Sequence, residues 1–362
     1  MKRPDFEFPL NDPLTQSFFE RLKRHLKRVV FSEGEDIRIL YVAEKMVEMQ
    51  IGLPILLGNK ERIQKLASDH DINLDFVNIT DPKESSDLDL FCKRFEKIEK
   101  YKGMHIENAR EMISSPYRFA AMMVQYGHAD AYVGGNASKA TTILRAVQQL
   151  LKPDADVPHV YATTLLLAPH LEHFGRNGYM LLADTAINPE PDTQELAAIS
   201  VTSGVLAQRL FETHPRVVLL SHSTKGSNFT ASARRVAAAA ELAHDLSVRK
   251  MCPMEIDGEL QADVALNPLA AEKKAPHMDQ KGPVDALVFP NLDSAHISSK
   301  LLQHTSGAKA YGQFIMGLER PVAQIPVTAD VDMILGTVAA VSIEAITANK
   351  LAISRMANTG QL

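Results

Sequence analysis

The sequence of 362 residues is long enough for two ordinary domains, and its 45% hydrophobic and 23% charged residues are proportions typical of a globular protein. Its formal net charge of -5 argues against nucleic acid as the main partner, because binding to phosphate backbones requires a basic surface. We see no apolar run long enough to cross a bilayer and no secretory signal in residues 1–13, so we expect a cytoplasmic protein with no membrane partner.

The cysteine and histidine content gives no reason to expect a metal site. The two cysteines, Cys92 and Cys252, are too few and too far apart for a disulfide framework or a thiolate metal site, so we expect both to be reduced and structural. The 13 histidines show no metal-ligand spacing such as His-Glu-x-x-His. We therefore expect no metal.

The first predicted element is an amphipathic helix within residues 1–27. Its apolar residues recur near the helical period, while basic residues occupy the other faces. The apolar positions are Leu14, Phe18, Phe19, Leu22 and Leu26. The pattern fits a helix docked on its own domain, a helix that takes part in a dimer, or the remnant of a linker.

Strands and helices then alternate up to about residue 151. Apolar runs predict strands at 28–31, 53–57, 76–79 and 129–133. Helical periodicity predicts helices at 37–49, 60–67, 90–99, 106–114, 117–126 and 139–151. This alternation predicts a parallel sheet covered on both faces. Residues 152–158 contain two prolines and two aspartates and are the best candidate for a domain hinge.

The alternation resumes after the hinge. Strands are predicted at 161–167, 179–184, 217–220, 286–289 and 312–316. Helices are predicted at 192–213, 231–244, 297–302 and 332–348. The first two strands are joined by a glycine-containing turn and look like a hairpin, so we expect the second sheet to be mixed.

The stretch with the clearest chemistry is Ser-His-Ser-Thr-Lys-Gly-Ser at residues 221–227, which we call the 221–227 loop. It follows a buried strand and precedes an Ala-rich helix, so unsatisfied N–H groups and Lys225 would favour an anion there. The spacing is not the Walker pattern, which needs an earlier glycine. The loop is therefore a candidate phosphate site. The alternative is a strand–helix connection capped by its own hydroxyls.

Five ordered motifs resemble the phosphate acetyl/butyryltransferase family, over nearly the whole chain from about residue 28 to 348. They lie at 183–188 with 191–192, 219–227, 256–261 with 263, 272–276, and 317–318 with 321–322. The resemblance implies an α/β fold of two α/β/α domains with a ligand cleft between them, similar to phosphotransacetylases and isocitrate dehydrogenases. It implies a discontinuous first domain at 28–155 and 300–362, and an inserted, dimer-forming second domain at 156–299.

The resemblance also implies the chemistry. Members move an acetyl group between coenzyme A and phosphate without a metal, by direct attack of the CoA thiol on the acyl phosphate, and they are usually homodimers. The implied residues for binding CoA and phosphate are Ser221, Ser223, Thr224, Lys225, Gly226, Ser227, Arg145, His296 and Lys300. For three of them a simpler interpretation stands beside this one: Lys225 as a solvated lysine, Arg145 in an ion pair on an exposed helix face, and His296 as a structural histidine. Asp257 and Asp263 fit residues that hold loops better than ligand contacts.

The sequence departs from the family where the resemblance places catalysis. The family's serine, arginine and aspartate are replaced by Pro326, Val327 and Met333, and only a shifted alignment lets Asp330 or Asp332 substitute for the aspartate. A second family arginine appears as Glu99, so Arg145 is the one that remains. Each lost charge-assisted contact costs about 1.5–3 kcal/mol. We therefore expect acyl transfer to be lowered by several orders of magnitude.

The turn at 289–298 resembles instead the C-terminal domain of bacterial NADP-dependent malic enzymes, which is understood to bind acetyl-CoA and to inhibit the dehydrogenase portion. Our preferred expectation is an acetyl-CoA-binding, catalytically weakened and regulatory relative, with a fused or associated malic enzyme portion as partner. A working acyltransferase that uses Asp330 or Asp332 with Arg145 is the first alternative. A purely structural dimerisation domain is the second.

Overall fold

The computed structural model describes residues 12–103, 107–154, 157, 159–171, 174–278 and 282–358. Parts of the predicted N-terminal segment, of the helix at 106–114 and of the hinge (residues 1–11, 106, 155–156 and 158) lie outside the described residues. The chain forms two compact units: unit 1 is Met1–Lys152 with Leu318–Leu362, and unit 2 is Pro153–Gly317. Unit 2 ends at Gly317, whereas the resemblance implied a second domain that ends at residue 299. The difference arises because residues 309–316 pair with a strand of unit 2.

The strands are β1 Arg28–Phe31, β2 Leu53–Leu57, β3 Asn78–Thr80, β4 Ala131–Gly134, β5 Tyr161–Leu167, β6 Tyr179–Ala183, β7 Arg216–Leu220, β8 Glu255–Leu260, β9 Ala286–Val288, β10 Lys309–Met316 and β11 Val322–Gln324. The helices are α1 Pro13–Arg24, α2 Ile37–Glu48, α3 Lys60–Asp69, α4 Leu88–Tyr101, α5 Ala109–Ile113, α6 Pro116–Gln125, α7 Ala140–Leu150, α8 Thr193–Phe211, α9 Ala231–Arg249, α10 Ala262–Leu266, α11 Pro268–Lys274, α12 Leu292–Ser306 and α13 Val331–Asn358.

The sheet of unit 1 has the strand order β3-β2-β1-β4-β11, and every pairing in it is parallel. The predicted parallel sheet is confirmed. The sequence analysis missed β11, which is only three residues long and lies between Pro321 and Pro326. The strand predicted at 76–79 begins later, because Phe76 has a positive φ of 65° and its side chain is 87% exposed.

Helix α1 is docked on its own unit. Its start is capped by the Asp12 carboxylate, which accepts the Thr15 N–H at 3.0 Å. Phe18 and Leu22 are fully buried where α1 packs against α13. Burial of such side chains stabilises the unit by about 1.5–3 kcal/mol each. This geometry agrees with the first of the three interpretations of the amphipathic pattern.

Helix α13 corrects the expectation about apolar runs. Its Val331–Ala348 stretch is, by length and composition, long and apolar enough to cross a membrane, with a mean hydropathy of 1.6. In this structure 72% of that stretch is buried inside the protein. It packs against α1 and α2 as a core helix of unit 1.

The sheet of unit 2 has the order β10-β5-β6-β9-β7-β8. Its β10–β5 and β5–β6 pairings are antiparallel and the remaining ones are parallel, which confirms the predicted mixed sheet and hairpin. Leu166, Leu182, Val218 and Leu287 lie in the buried core of this unit. The parallel β7 and β8 carry the 221–227 loop and its neighbours at their carboxyl ends.

In unit 2 no strand or helix was predicted where β8, α10 and α11 lie, and α12 and α9 differ from the predictions at their ends. Helix α12 begins at Leu292, because the Asn291 side chain accepts the Ser294 N–H at 3.0 Å and caps the helix there. The stretch at 289–298, which we interpreted as a turn, therefore contains the first turn of α12. Helix α9 continues to Arg249, beyond the predicted end at residue 244.

Candidate functional site

The 221–227 loop lies between β7 and α9 but does not form the N-terminus of α9. That helix begins at Ala231 and is capped by Thr230, whose hydroxyl accepts the Ala233 N–H at 3.2 Å. The first-turn N–H groups of α9 therefore come after the loop rather than from it. The prediction that this loop supplies the unsatisfied N–H groups of a helix N-terminus is therefore wrong.

The backbone N–H groups of the 221–227 loop are donated within the protein. Those of residues 223–228 donate, in order, to Ser221 Oγ, Ser227 Oγ, Glu259 O, Glu259 Oε1, Thr224 O and Ser223 Oγ, at distances of 2.7–3.2 Å. Buried polar groups of a loop are stable only when they are paired in this way. Three of these six N–H groups donate to hydroxyls of the loop, as in the alternative interpretation, and two donate to Glu259 of β8. Its binding of a phosphate stays a prediction.

The centre of the loop is occupied by Glu259 of β8, a residue that the sequence analysis quoted in a motif without assigning it a role. Its side chain is 4% exposed, and its Oε1 accepts the Gly226 N–H at 2.7 Å and the Ser223 hydroxyl at 3.0 Å. Hydrogen bonds to an ionised acceptor are roughly twice as strong as neutral ones. Glu259 therefore fixes the conformation of the loop.

The close approach of β8 to β7 requires a glycine beside Glu259. Gly258 has a φ of +150°, and a Cβ there would lie 2.9 Å from Leu219 Cβ. Its carbonyl accepts Lys225 Nζ at 3.0 Å. A larger residue would push β8 away from the loop that it supports.

Lys225 is in an ion pair. Its Nζ lies 2.7 Å from Asp257 Oδ1, and its side chain is 47% exposed. Behind Asp257, the buried Arg216 places Nη2 3.6 Å from Asp257 Oδ2. A groove of about 820 Å³ is bordered by Lys225 and Phe229 together with other residues of the loop, α9 and β8.

The Asp263 carboxylate holds structure as expected. It accepts the Val264 N–H at 3.0 Å and Lys274 Nζ at 2.6 Å. The hydrogen bond from Lys274 lowers the pKa of Asp263 below its usual value.

His296 and Lys300 lie on the exposed side of α12. Lys300 Nζ donates to Gln303 Oε1 at 3.3 Å, one helical turn further on. Contacts of these side chains with a ligand remain predictions.

In unit 1, the carboxyl ends of β1, β4 and β11 bring three loops together. In open parallel sheets, ligands bind at these ends. Arg38 joins the loops: it donates to the carbonyls of Asn136, Val327 and Ala329 at 2.7–2.8 Å. The sequence analysis missed Arg38, because its partners are separated from it by about a hundred residues or more.

Asp36 and Glu33, which both precede α2, complete this arrangement. Burial would raise the pKa of Asp36, but hydrogen bonds from Arg38 lower it below its usual value. The buried Glu33 carboxylate accepts the Gly135 N–H at 2.7 Å and the Ala137 N–H at 3.4 Å. The turn that leads to α7 is therefore held by a carboxylate that sequence reasoning did not single out.

The altered run after β11 lies in this group of loops. Val327 is 57% exposed, and Asp330 accepts the Met333 N–H at 2.7 Å, which caps the start of α13. Asp332 follows in the first turn of α13. Pro326 and Val327 offer neither a hydroxyl nor a positive charge.

The two positions where the resemblance led us to look for further arginines differ in environment. Arg145 lies on the exposed side of α7. Glu99 is 1% exposed and accepts Nζ of the 42%-exposed Lys102 at 3.2 Å, so a buried carboxylate paired with a surface lysine occupies that position. Among the described residues, no group of three or more His, Cys, Asp or Glu side chains has an arrangement that would hold a metal ion.

Comparison with known proteins agrees with the fold and the motifs. The family profile described as phosphate acetyl/butaryl transferase matches residues 14–342. A phosphate acetyltransferase of Clostridium acetobutylicum is 32% identical over 92% of this chain and 98% of its own length. One of Thermoanaerobacterium thermosaccharolyticum is 35% identical over 92% and 99%.

Solved structures give the same result. The EutD phosphotransacetylase from Staphylococcus aureus superposes with a TM-score of 0.83 at 29% identity, over 92% of this chain and 98% of that one. A phosphotransacetylase from Streptococcus pyogenes gives a TM-score of 0.84 at 28% identity, with the same coverage. The chain belongs to the phosphate acetyl/butyryl transferase family.

Proposed function

We propose that this protein transfers an acyl group between coenzyme A and phosphate, as a homodimer and without a metal. The observation that carries the proposal is the 32–35% identity to proteins named phosphate acetyltransferase over 92% of the chain. This similarity favours the working transferase over the regulatory relative that we preferred from the altered run.

In this reaction the CoA sulfur forms a bond to the acyl carbon of the acyl phosphate, and the bond from that carbon to the phosphate oxygen breaks. The thiol proton needs an acceptor, and the leaving phosphate needs a cation. We assign the acceptor role to Asp330, with Asp332 as the alternative, and the cation role to Arg145. Arg38 holds the loop that contains Asp330 and leads into α13, and Glu33 holds the turn that leads to α7, the helix of Arg145.

The experiment is a thiol-release assay with acetyl-CoA and phosphate. We expect phosphate-dependent release of free CoA in the usual enzyme range of about 1 per second or more. Arg145→Ala should lower the rate. The matched control is Arg62→Ala, which removes a 76%-exposed arginine from α3 of the same unit. Turnover that is absent, or that does not require phosphate, contradicts the proposal.

A second candidate is an acetyl-CoA-binding regulatory protein related to the malic enzyme domain. The observation that favours it is the replacement of the expected serine, arginine and aspartate by Pro326, Val327 and Met333. Calorimetric binding of acetyl-CoA with no detectable thiol release would support this candidate instead.

A further inference from the structure

The Lys225 ammonium, the cation of the 221–227 loop, is engaged before any ligand arrives. Its contacts with Asp257 Oδ1 at 2.7 Å and Gly258 O at 3.0 Å use two of the three N–H donors of an ammonium group. Because the side chain is 47% exposed, an anion from solvent can still approach it. Any such anion would lie close to the Asp257 carboxylate.

Asp257 is held in place independently of Lys225. Its Oδ1 also accepts the Gly258 N–H at 2.9 Å, and the Arg216 guanidinium lies 3.6 Å from its Oδ2 on the buried side. The Arg216 side chain is 7% exposed, so its charge stays close to this carboxylate. Asp257 therefore remains where it is if Lys225 turns toward a ligand.

The backbone of the loop offers an incoming anion little compensation. The N–H groups of residues 223–228 already donate within the protein, with Glu259 accepting at the centre. Lys225 is the only lysine or arginine of the loop, and its partner is a carboxylate.

We propose that Asp257 sets the affinity of the 221–227 loop for the phosphate groups of coenzyme A, by competing with them for the Lys225 ammonium. The choice of CoA as ligand rests on the proposed function. The competition itself rests on the contacts of Lys225 and Asp257.

The test is the variant Asp257→Asn, which keeps the volume and the acceptor for the Gly258 N–H but removes the charge. We expect CoA and inorganic pyrophosphate to bind about fivefold tighter in calorimetric titration, the scale of an exposed ion pair. The matched control is Asp263→Asn, which breaks the Asp263–Lys274 pair of 2.6 Å, whose lysine is 45% exposed as against 47% for Lys225, and should leave binding unchanged. The double variant with Lys225→Met should lose the tightening.

Unchanged or weaker binding by a folded Asp257→Asn protein overturns this proposal and leaves the proposed function intact if thiol release is observed. Absence of CoA binding contradicts the proposed function. In that case, titration with pyrophosphate still tests whether Asp257 competes with an anion for the Lys225 ammonium. If the loss of charge beside Arg216 prevents folding, amine labelling of the wild-type protein replaces the variant. CoA should then change the labelling rate of Lys225 but not that of Lys274, and equal rates at Lys225 with and without CoA overturn the proposal.

Discussion

Replacement of Glu259 by alanine should destabilise the protein through the 221–227 loop. The 4%-exposed carboxylate accepts the Gly226 N–H and the Ser223 hydroxyl, and Ser223 is itself fully buried. A buried donor left unsatisfied costs about 1–3 kcal/mol. Gly226 is exposed and can bond to water, while Ser223 has Ser227 Oγ at 3.3 Å as a second partner. Because both donors keep a partner, we expect a loss of about 1–2 kcal/mol in the free energy of unfolding, measured by urea titration with circular dichroism.

The conservative variant Glu259→Gln separates hydrogen bonding from charge. Both bonds end on the same oxygen, Oε1, so an amide oxygen in that position can accept them both. We expect a loss below about 1 kcal/mol. The reasoning is refuted if alanine costs less than about 0.5 kcal/mol, or if glutamine is as damaging as alanine.

Three further predictions concern other carboxylates. Asp285→Ala should lower the free energy of unfolding, measured in urea, by about 3 kcal/mol. The Asp285 side chain is fully buried and accepts Arg176 Nε at 2.7 Å, Arg176 Nη2 at 3.0 Å and the Arg216 N–H at 2.8 Å. A loss below about 1 kcal/mol would show that this network is dispensable. Asp330→Asn should lower thiol release about 100-fold at an unchanged Tm, since asparagine caps α13 equally well. Asp330→Ala should lower thiol release and also the stability, by about 1 kcal/mol. Full activity in the asparagine variant would exclude Asp330 as the proton acceptor. The folded-state pKa of Asp36 is below its usual value, so its contribution to stability is complete above about pH 4 and is lost as the pH falls through the folded pKa. In urea titrations at different pH values, Asp36→Asn should reduce the fall of the unfolding free energy below about pH 4. An unaltered fall would show that Asp36 does not contribute to it.

The fold was largely predictable, because most elements leave a local signal in the sequence. The strand β5 and the hairpin with β6 follow from continuous apolar runs joined by a glycine-containing turn. The exceptions are short or capped elements and the polar strand β8, whose sequence Glu-Ile-Asp-Gly-Glu-Leu lacks an apolar run. Three residues of β11 carry too little periodicity to detect, and the Asn291 cap begins α12 in a stretch whose composition resembles a turn.

The candidate site was predictable only in part. The 221–227 loop and the replacements at Pro326 and Val327 stand out in the sequence. The side chains that hold these segments do not stand out, because Arg38 contacts Val327 across 289 positions of the sequence and Glu259 contacts Gly226 across 33. Side chains that act through such distant partners have no spacing rule, so only the folded chain shows which carboxylate or guanidinium holds which loop.

The division of the chain has a consequence for biosynthesis. Unit 2 is one continuous segment, Pro153–Gly317, whereas unit 1 needs Leu318–Leu362, which supplies β11 and α13. Domains generally fold as units while the ribosome is still elongating the chain. Unit 2 can thus reach its native state on the ribosome, whereas the segment of unit 1 that precedes it lacks β11 and the core helix α13 until residues 318–362 have also been made. Until then, the faces of α1 and α2 that pack against α13 in the native structure stay uncovered.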